Sequence, residues 1–270
     1  MTENIQSAAA PDAHHREKLT AALDVLSKVA GETNPDRVEE IAREALAASE
    51  DCVEAWMVLA QQAAGNLEAA RPYLESAVNA GDRIFAERKQ RWRDKFGTLQ
   101  EAQSYMQARF VLGQVLWDMG SHAQALEVLQ ETLGLHAADP QGVRYVLLKA
   151  MLDDGLYTDA DALLQRYASE QSTVMLYGRT LCHFSLHGDG LLARSAFLAA
   201  RKYNPFVLDY LLGLRNMPQK LPTRGQPGDE AEAIRYTAVF GETWENSAGA
   251  LNFLRTQKRF RAEKDARKKR

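Results

Sequence analysis

The stretch Leu112–Ala125, LGQVLWDMGSHAQA, recurs on the same plan as LLKAMLDDGLYTDA at Leu147–Ala160 and as TLCHFSLHGDGLLA at Thr180–Ala193. Each ends a helix-forming run on a glycine (Gly120, Gly155, Gly188) and places an alanine five residues later (Ala125, Ala160, Ala193). The glycines are 35 and 33 residues apart. A chain leaving a helix through a left-handed turn favours glycine, which has no Cβ to clash. The alanine then lets a second helix lie close to the first. Four residues further on, Leu129, Leu164 and Phe197 fill the same face. Pro140 and Pro205 stop the second helix and set up the next unit. One such pair cannot bury its apolar face alone, so neighbours must stack.

Working outward, Asn34-Pro35-Asp36 reads as a helix start, followed by a stripe of Val38, Ile41 and Ala45. Trp56, Leu59, Ala60 and Ala63 form a first helix, Gly65-Asn66 a turn, and Ala70, Leu74 and Val78 a second helix. A helix over about 14–30 caps this block. The segment Asp82–Gln103 interrupts the period. Past the last repeat come a short helix over 206–214 and a loop rich in proline and glycine. Closing helices over 229–240 and 246–254 follow, then a basic run expected to be a frayed helix or a disordered tail. No stretch alternates with period two, so no sheet is expected. The expected fold is all-α, a tetratricopeptide-like helix-turn-helix solenoid wound as a right-handed superhelix. The expected organisation is a flexible 1–13, irregular helical repeats over 14–103, tetratricopeptide-like repeats over 104–215, a loop over 216–228, closing helices over 229–254 and a basic tail over 255–270.

Hydrophobic content of 46% against 26% charge excludes a wholly disordered chain. Apolar runs are far shorter than the roughly 20 residues a membrane helix needs, and the first residues lack a signal-like apolar core. Cys52 and Cys182, the only cysteines, suit free thiols in a reducing compartment, so a cytoplasmic location without a membrane partner is expected. Charge is uneven. Residues 255–270 hold nine Lys/Arg against two Asp/Glu, a local +7 in a chain of net −3, which leaves −10 on the rest.

Four segments carry a family resemblance: Ser104-Tyr105-Met106-Gln107-Ala108-Arg109, Pro140-Gln141-Gly142-Val143-Arg144-Tyr145, Tyr210-Leu211-Leu212-Gly213 and Gly228-Asp229-Glu230-Ala231-Glu232-Ala233. With Asn204-Pro205 and the Pro-rich loop, they make residues from about Asp94 to Leu254 resemble the tetratricopeptide-like region of the suppressor of tumorigenicity 7 family and of bacterial SEC-C-motif proteins. Glu101-Ala102-Gln103-Ser104 departs from the charged or Pro-containing stretch usual before the Tyr-Met pair, and the Cys-rich zinc motif of SEC-C proteins is absent. The resemblance implies this fold and a binding role, and it transfers no catalytic residues.

Repeat arrays of this kind bind partners along the first helix of each pair. The solvent-facing positions expected there are Phe110, Gln114, Trp117 and Asp118, then Tyr145, Lys149, Leu152 and Asp153, then Met175, Arg179 and Cys182. Aromatic and cationic side chains of this sort anchor protein interfaces, and the expected occupant is an unidentified protein or peptide. Packing between repeats is the competing role for Trp117 and Tyr145. Arg179 sits where a carboxylate clamp would place its arginine, but Phe110, Gln114, Val146 and Met175 replace the clamp's Lys and Asn.

His183 and His187 share a helix face, and Cys182 points about 100° away, so no metal is expected. Gly188-Asp189-Gly190-Leu191-Leu192-Ala193 matches a dinucleotide string but follows a helix instead of a strand, so no cofactor is expected either. No catalytic constellation stands out, and the chain reads as a non-enzyme. The second functional reading is nucleic acid held by the tail through Lys258, Arg259, Arg261, Lys264, Arg267, Lys268, Lys269 and Arg270, with a further basic cluster over Arg83–Lys95 around Trp92. Oligomeric state is open.

Overall fold

The computed structural model describes residues 13–268, with side chains from His14 to Arg259. Thirteen α-helices and no strand occur among the described residues. They form two compact units divided between Val143 and Arg144.

The first unit holds α1 (Ala13–Leu26), α2 (Pro35–Ala48), α3 (Val53–Gln62), α4 (Leu67–Trp92), α5 (Gln103–Asp118) and α6 (His122–Leu135). Each helix packs on its sequence neighbour, and α3 also meets α5. Asn34 caps α2, its side chain accepting from the Asp36 amide, and Asn66 caps α4 by accepting from Ala69. The segment read as an interruption is largely α4 itself, which runs 26 residues to Trp92 before two 3-10 turns lead into α5. No breaker stands between Asp82 and Trp92, and buried Phe85 holds the extension against Phe96 and Tyr105, with ring centroids 5.4 and 5.8 Å away. Helices α4 and α5 approach closely at Gly81, where a Cβ would lie 2.0 Å from the Tyr105 ring.

A polar cluster sits inside this core. Arg109, only 5% exposed, donates to the Tyr105 hydroxyl at 3.0 Å and to Thr132 at 3.2 Å, and pairs with Glu131. Tyr105 in turn donates to Asp82 at 2.6 Å and accepts from Lys89 at 3.1 Å. Burial pushes the Tyr105 phenol above its ordinary range, which keeps it a donor to Asp82.

The second unit holds α7 (Val143–Asp153), α8 (Tyr157–Arg166), α9 (Thr173–His187), α10 (Leu191–Tyr203), α11 (Val207–Leu211), α12 (Glu230–Asn246) and α13 (Ala250–Lys268). The closing helices are longer than expected. The first continues six residues past Phe240, and the backbone of the second stays helical through the basic run to Lys268.

The repeat glycines behave as their spacing requires. Gly120, Gly155 and Gly188 have φ of 78°, 70° and 68°. The first two turns close with the same bond, Ser121 N–H to Leu116 and Leu156 N–H to Met151, each 2.8 Å. At the third, Gly188 N–H reaches the Phe184 carbonyl at 2.7 Å, a five-residue closure. Ala125, Ala160 and Ala193 are fully buried, as are Leu129 and Leu164, and Phe197 is nearly so.

Helix α9 is enclosed on most sides. It packs against α8, α10, α12 and α13. Tyr177 meets Tyr236 of α12, and Phe184 and Phe197 meet Phe253 of α13, at centroid separations of 5.5, 4.9 and 6.0 Å. Buried Asn204 donates to Thr173 at 3.2 Å and to the Asp229 carbonyl at 3.0 Å, while its own carbonyl accepts from Tyr177 at 2.8 Å. The Asn-Pro pair that ends the repeat thus also fastens the start of α12.

Candidate functional site

On α5 the apolar and small residues Tyr105, Met106, Ala108, Leu112, Val115 and Leu116 face the core. The opposite stripe, at alternating spacings of four and three, runs Gln103, Gln107, Phe110, Gln114 and Trp117. Phe110 and Gln114 are half-buried there and Asp118 is exposed. Trp117 lies flat against His122 at 4.0 Å and packs on the core of the first unit, so the competing packing role fits its ring.

The N-terminal end of this stripe opens into a cleft of about 400 Å³ lined by Glu54 and Met57 of α3, Gln103, Ser104 and Gln107 of α5, and Gln141 from the segment after α6. Gln103 is held by donating to the carbonyls of Gly97 at 2.7 Å and Leu99 at 3.2 Å. Gln141 donates to the Gln107 carbonyl oxygen at 3.3 Å. The Gln107 amide N–H groups, the Gln141 and Gln103 side-chain carbonyl oxygens and the Ser104 hydroxyl remain as polar groups of the cleft lining, together with the Glu54 carboxylate. Amides are both donors and acceptors, which is also what an extended peptide backbone offers. Met57 adds an adaptable apolar floor.

None of these six residues was among the expected contacts. The expected groove on α5 is confined to Phe110, Gln114, Trp117 and Asp118, whereas the same stripe continues to the start of the helix. Two of the segments that carry the family resemblance, Ser104–Arg109 and Pro140–Tyr145, meet at this cleft.

In the second unit the expected contacts are engaged internally. Tyr145 accepts from Arg144 at 2.8 Å and donates to Glu170, which Arg144 also binds at 2.7 Å. These bonds hold the Glu170 carboxyl below its usual range even though burial opposes it. Lys149 pairs with Asp153, and Asp153 also accepts from Thr243 of α12. Arg179 donates to the Leu164 carbonyl at 3.1 Å.

Leu152, Met175 and Cys182 were expected to face solvent but are buried. Gly178 has no Cβ to clash with Leu148, which packs closely against it, and Leu152 lies beside the same glycine at ordinary contact distance. The Cys182 thiol donates to the Tyr157 carbonyl at 3.1 Å. His183 faces Asp161 at 3.3 Å, and no group of three or more metal-ligating side chains occurs among the described residues.

In the tail, Lys258 donates to Asp209 at 2.6 Å and Arg259 is exposed. The side chains of Arg261, Lys264, Arg267 and Lys268, and the whole of Lys269 and Arg270, lie outside the described residues. No described helix is long and apolar enough to cross a membrane.

The sequence model of the family described as ST7 protein matches residues 10–262. The chain belongs to the ST7 protein family. The match begins well before Asp94, so it also covers the first helices, which the resemblance had left out. Among relatives, the suppressor of tumorigenicity 7 protein-like of Gallus gallus is 24% identical over 260 residues, covering 85% of this chain and 45% of the relative. The protein of the same description from Homo sapiens is 25% identical over 260 residues, covering 85% of this chain and 44% of the relative. The chain therefore spans just under half the length of these ST7-family relatives.

Proposed function

We propose that this ST7-family chain is a non-catalytic scaffold that holds an extended segment of a partner protein along α3 and α5. The observation that carries this reading is the amide-lined cleft of about 400 Å³ on the first helices of two successive pairs. Its donors and acceptors pair with peptide N–H and C=O groups whatever the partner's side chains, and Glu54 favours a basic residue among them. Phe110 and Gln114 extend the same track by two turns. The non-catalytic part is supported by the two thiols. Burial pushes Cys52 up to about 11 and Cys182 up to about 12, so both are held protonated, the opposite of an activated nucleophile. Buried free thiols also suit the reducing cytoplasm.

The test is a photoreactive side chain placed at Gln107 in one version and at Glu127, exposed on α6, in another. A discrete partner adduct from Gln107 alone, lost on Met57→Asp, is the expected result. No adduct, or the same adducts from both positions, would overturn the assignment.

A further inference from the structure

Three of the four tryptophans are engaged. Trp56 donates to the Glu50 carbonyl at 2.8 Å and stacks near Tyr73, Trp117 lies on His122, and Trp244 is buried and donates to Tyr236 at 2.8 Å. Trp92, at the end of α4, has no ring or hydrogen-bond partner among the described residues and is 43% exposed.

The cations around it divide in the same way. Arg83 pairs with Asp51, Arg88 with Glu101, and Lys89 with Asp82. Arg91, Arg93 and Lys95 are exposed and pair with nothing among the described residues, although Glu87 stands one turn before Arg91. Cations in a last helical turn offset the helix dipole, which accounts for Lys89 and Arg91. It does not account for Arg93 and Lys95, which lie beyond the helix, nor for an uncovered indole. Arg93 also has φ of +44°, a strained value for a residue with a side chain.

We propose that the end of α4, Arg91–Lys95, is a binding patch for single-stranded nucleic acid, with a base stacked on Trp92 and phosphates held by Arg91, Arg93 and Lys95. Every base presents a π-face, so one exposed indole among cations gives sequence-tolerant binding. Insertion into a lipid surface fits less well, because that needs a continuous apolar face. Here Gln90, Arg91, Arg93 and Asp94 surround Trp92 with polar groups, and the nearest apolar residue along the chain, Phe96, is buried. The patch shares no residue with the peptide cleft or with the basic tail.

The experiment titrates the full chain with a labelled 12-nucleotide oligouridylate between 50 and 200 mM salt, scales on which such contacts are read. Three phosphate contacts predict a slope of log affinity on log salt of about −2. Trp92→Ala should weaken binding by roughly tenfold and abolish the accompanying indole quenching, while Trp92→Phe retains most of the affinity. Arg91→Gln with Arg93→Gln and Lys95→Gln should flatten the slope, and Lys264→Glu with Arg267→Glu should leave it unchanged. All these positions are solvent-facing or terminal, and unchanged thermal melts verify that each variant folds. Absence of binding at 50 mM salt, binding that depends only on the tail pair, or a Trp92-dependent response to anionic vesicles but not to the oligonucleotide would each overturn the proposal.

Discussion

Helices α5 and α9 are written on one plan, each leading through a left-handed glycine to an alanine-anchored partner, yet they end in different surroundings. Helix α5 keeps an open stripe, with Gln103 and Gln107 exposed and Phe110 and Gln114 half-buried. On α9 the matching positions Met175, Gly178 and Cys182 are all buried. The difference comes from the helices packed on α9, where Gly178 meets Leu148 of α7 and Cys182 meets the Tyr157 carbonyl of α8. Tyr236 and Phe253, on α12 and α13, cover further positions by packing on Tyr177, Phe184 and Phe197. The repeat pattern thus specifies a helical hairpin and leaves open which of its faces will be covered by the rest of the chain.

The comparison breaks most severely if the closing helices lose their anchor. Trp244 is fully buried, and Trp244→Ala should cost about 3–5 kcal/mol in chemical denaturation, as large aromatic truncations in a core do. Trp92→Ala, by contrast, should fall within about 0.5 kcal/mol of the parent. Next comes Asn204, whose side chain joins α9 to the start of α12. Asn204→Ala leaves the buried Thr173 hydroxyl and the half-buried Asp229 carbonyl without this partner and should cost about 1–3 kcal/mol by the same measurement.

A smaller effect tests the hairpin turns themselves. Gly188 has open space around it, so Gly188→Ala isolates the conformational penalty of a left-handed backbone, about 1–2 kcal/mol. Gly65 is equally open and has no positive φ, so Gly65→Ala should be neutral or slightly stabilising in thermal melts.

The mildest prediction concerns the thiols and is invisible near neutral pH. Burial raises Cys52 and Cys182 from 9.0 to about 11 and about 12, so the folded chain keeps both protonated where the unfolded chain would ionise them. Their contribution to stability is full below pH 9.0 and declines as pH rises through 11 to 12. A pH series of denaturation midpoints with Cys52→Ala and Cys182→Ala should show a shallower decline than the parent above pH 9.0.

Much of the fold was legible because its turns have local causes. Gly120, Gly155 and Gly188 announce themselves by spacing, and Asn34 and Asn66 by capping chemistry. The long α4 was harder, because the charged run after Asp82 reads as a break although nothing in it stops a helix. The cleft was only partly legible. The stripe through Phe110 and Gln114 followed from helical periodicity, and its extension to Gln103 and Gln107 was available by the same rule. The contributions of Glu54, Met57 and Gln141 depend on tertiary contacts with no sequence signal. Met175 and Cys182 were misplaced for the matching reason, since repeat spacing does not show which neighbours close on a helix: Cys182 is covered where α8 begins, at Tyr157, and α12 packs on α9 as well.

Accessibility of introduced thiols tests the contrast between α5 and α9 most directly, because both native cysteines are buried. Single substitutions Gln107→Cys, Gln114→Cys, Met175→Cys and Thr180→Cys would be exposed to a maleimide under native conditions and again after denaturation. The account predicts prompt native labelling at 107, slower labelling at 114, and none at 175 or 180 until the chain is unfolded. Labelling at 175 as fast as at 107 would show that α9 is not covered, and protection at 107 would show that the α5 face is not free.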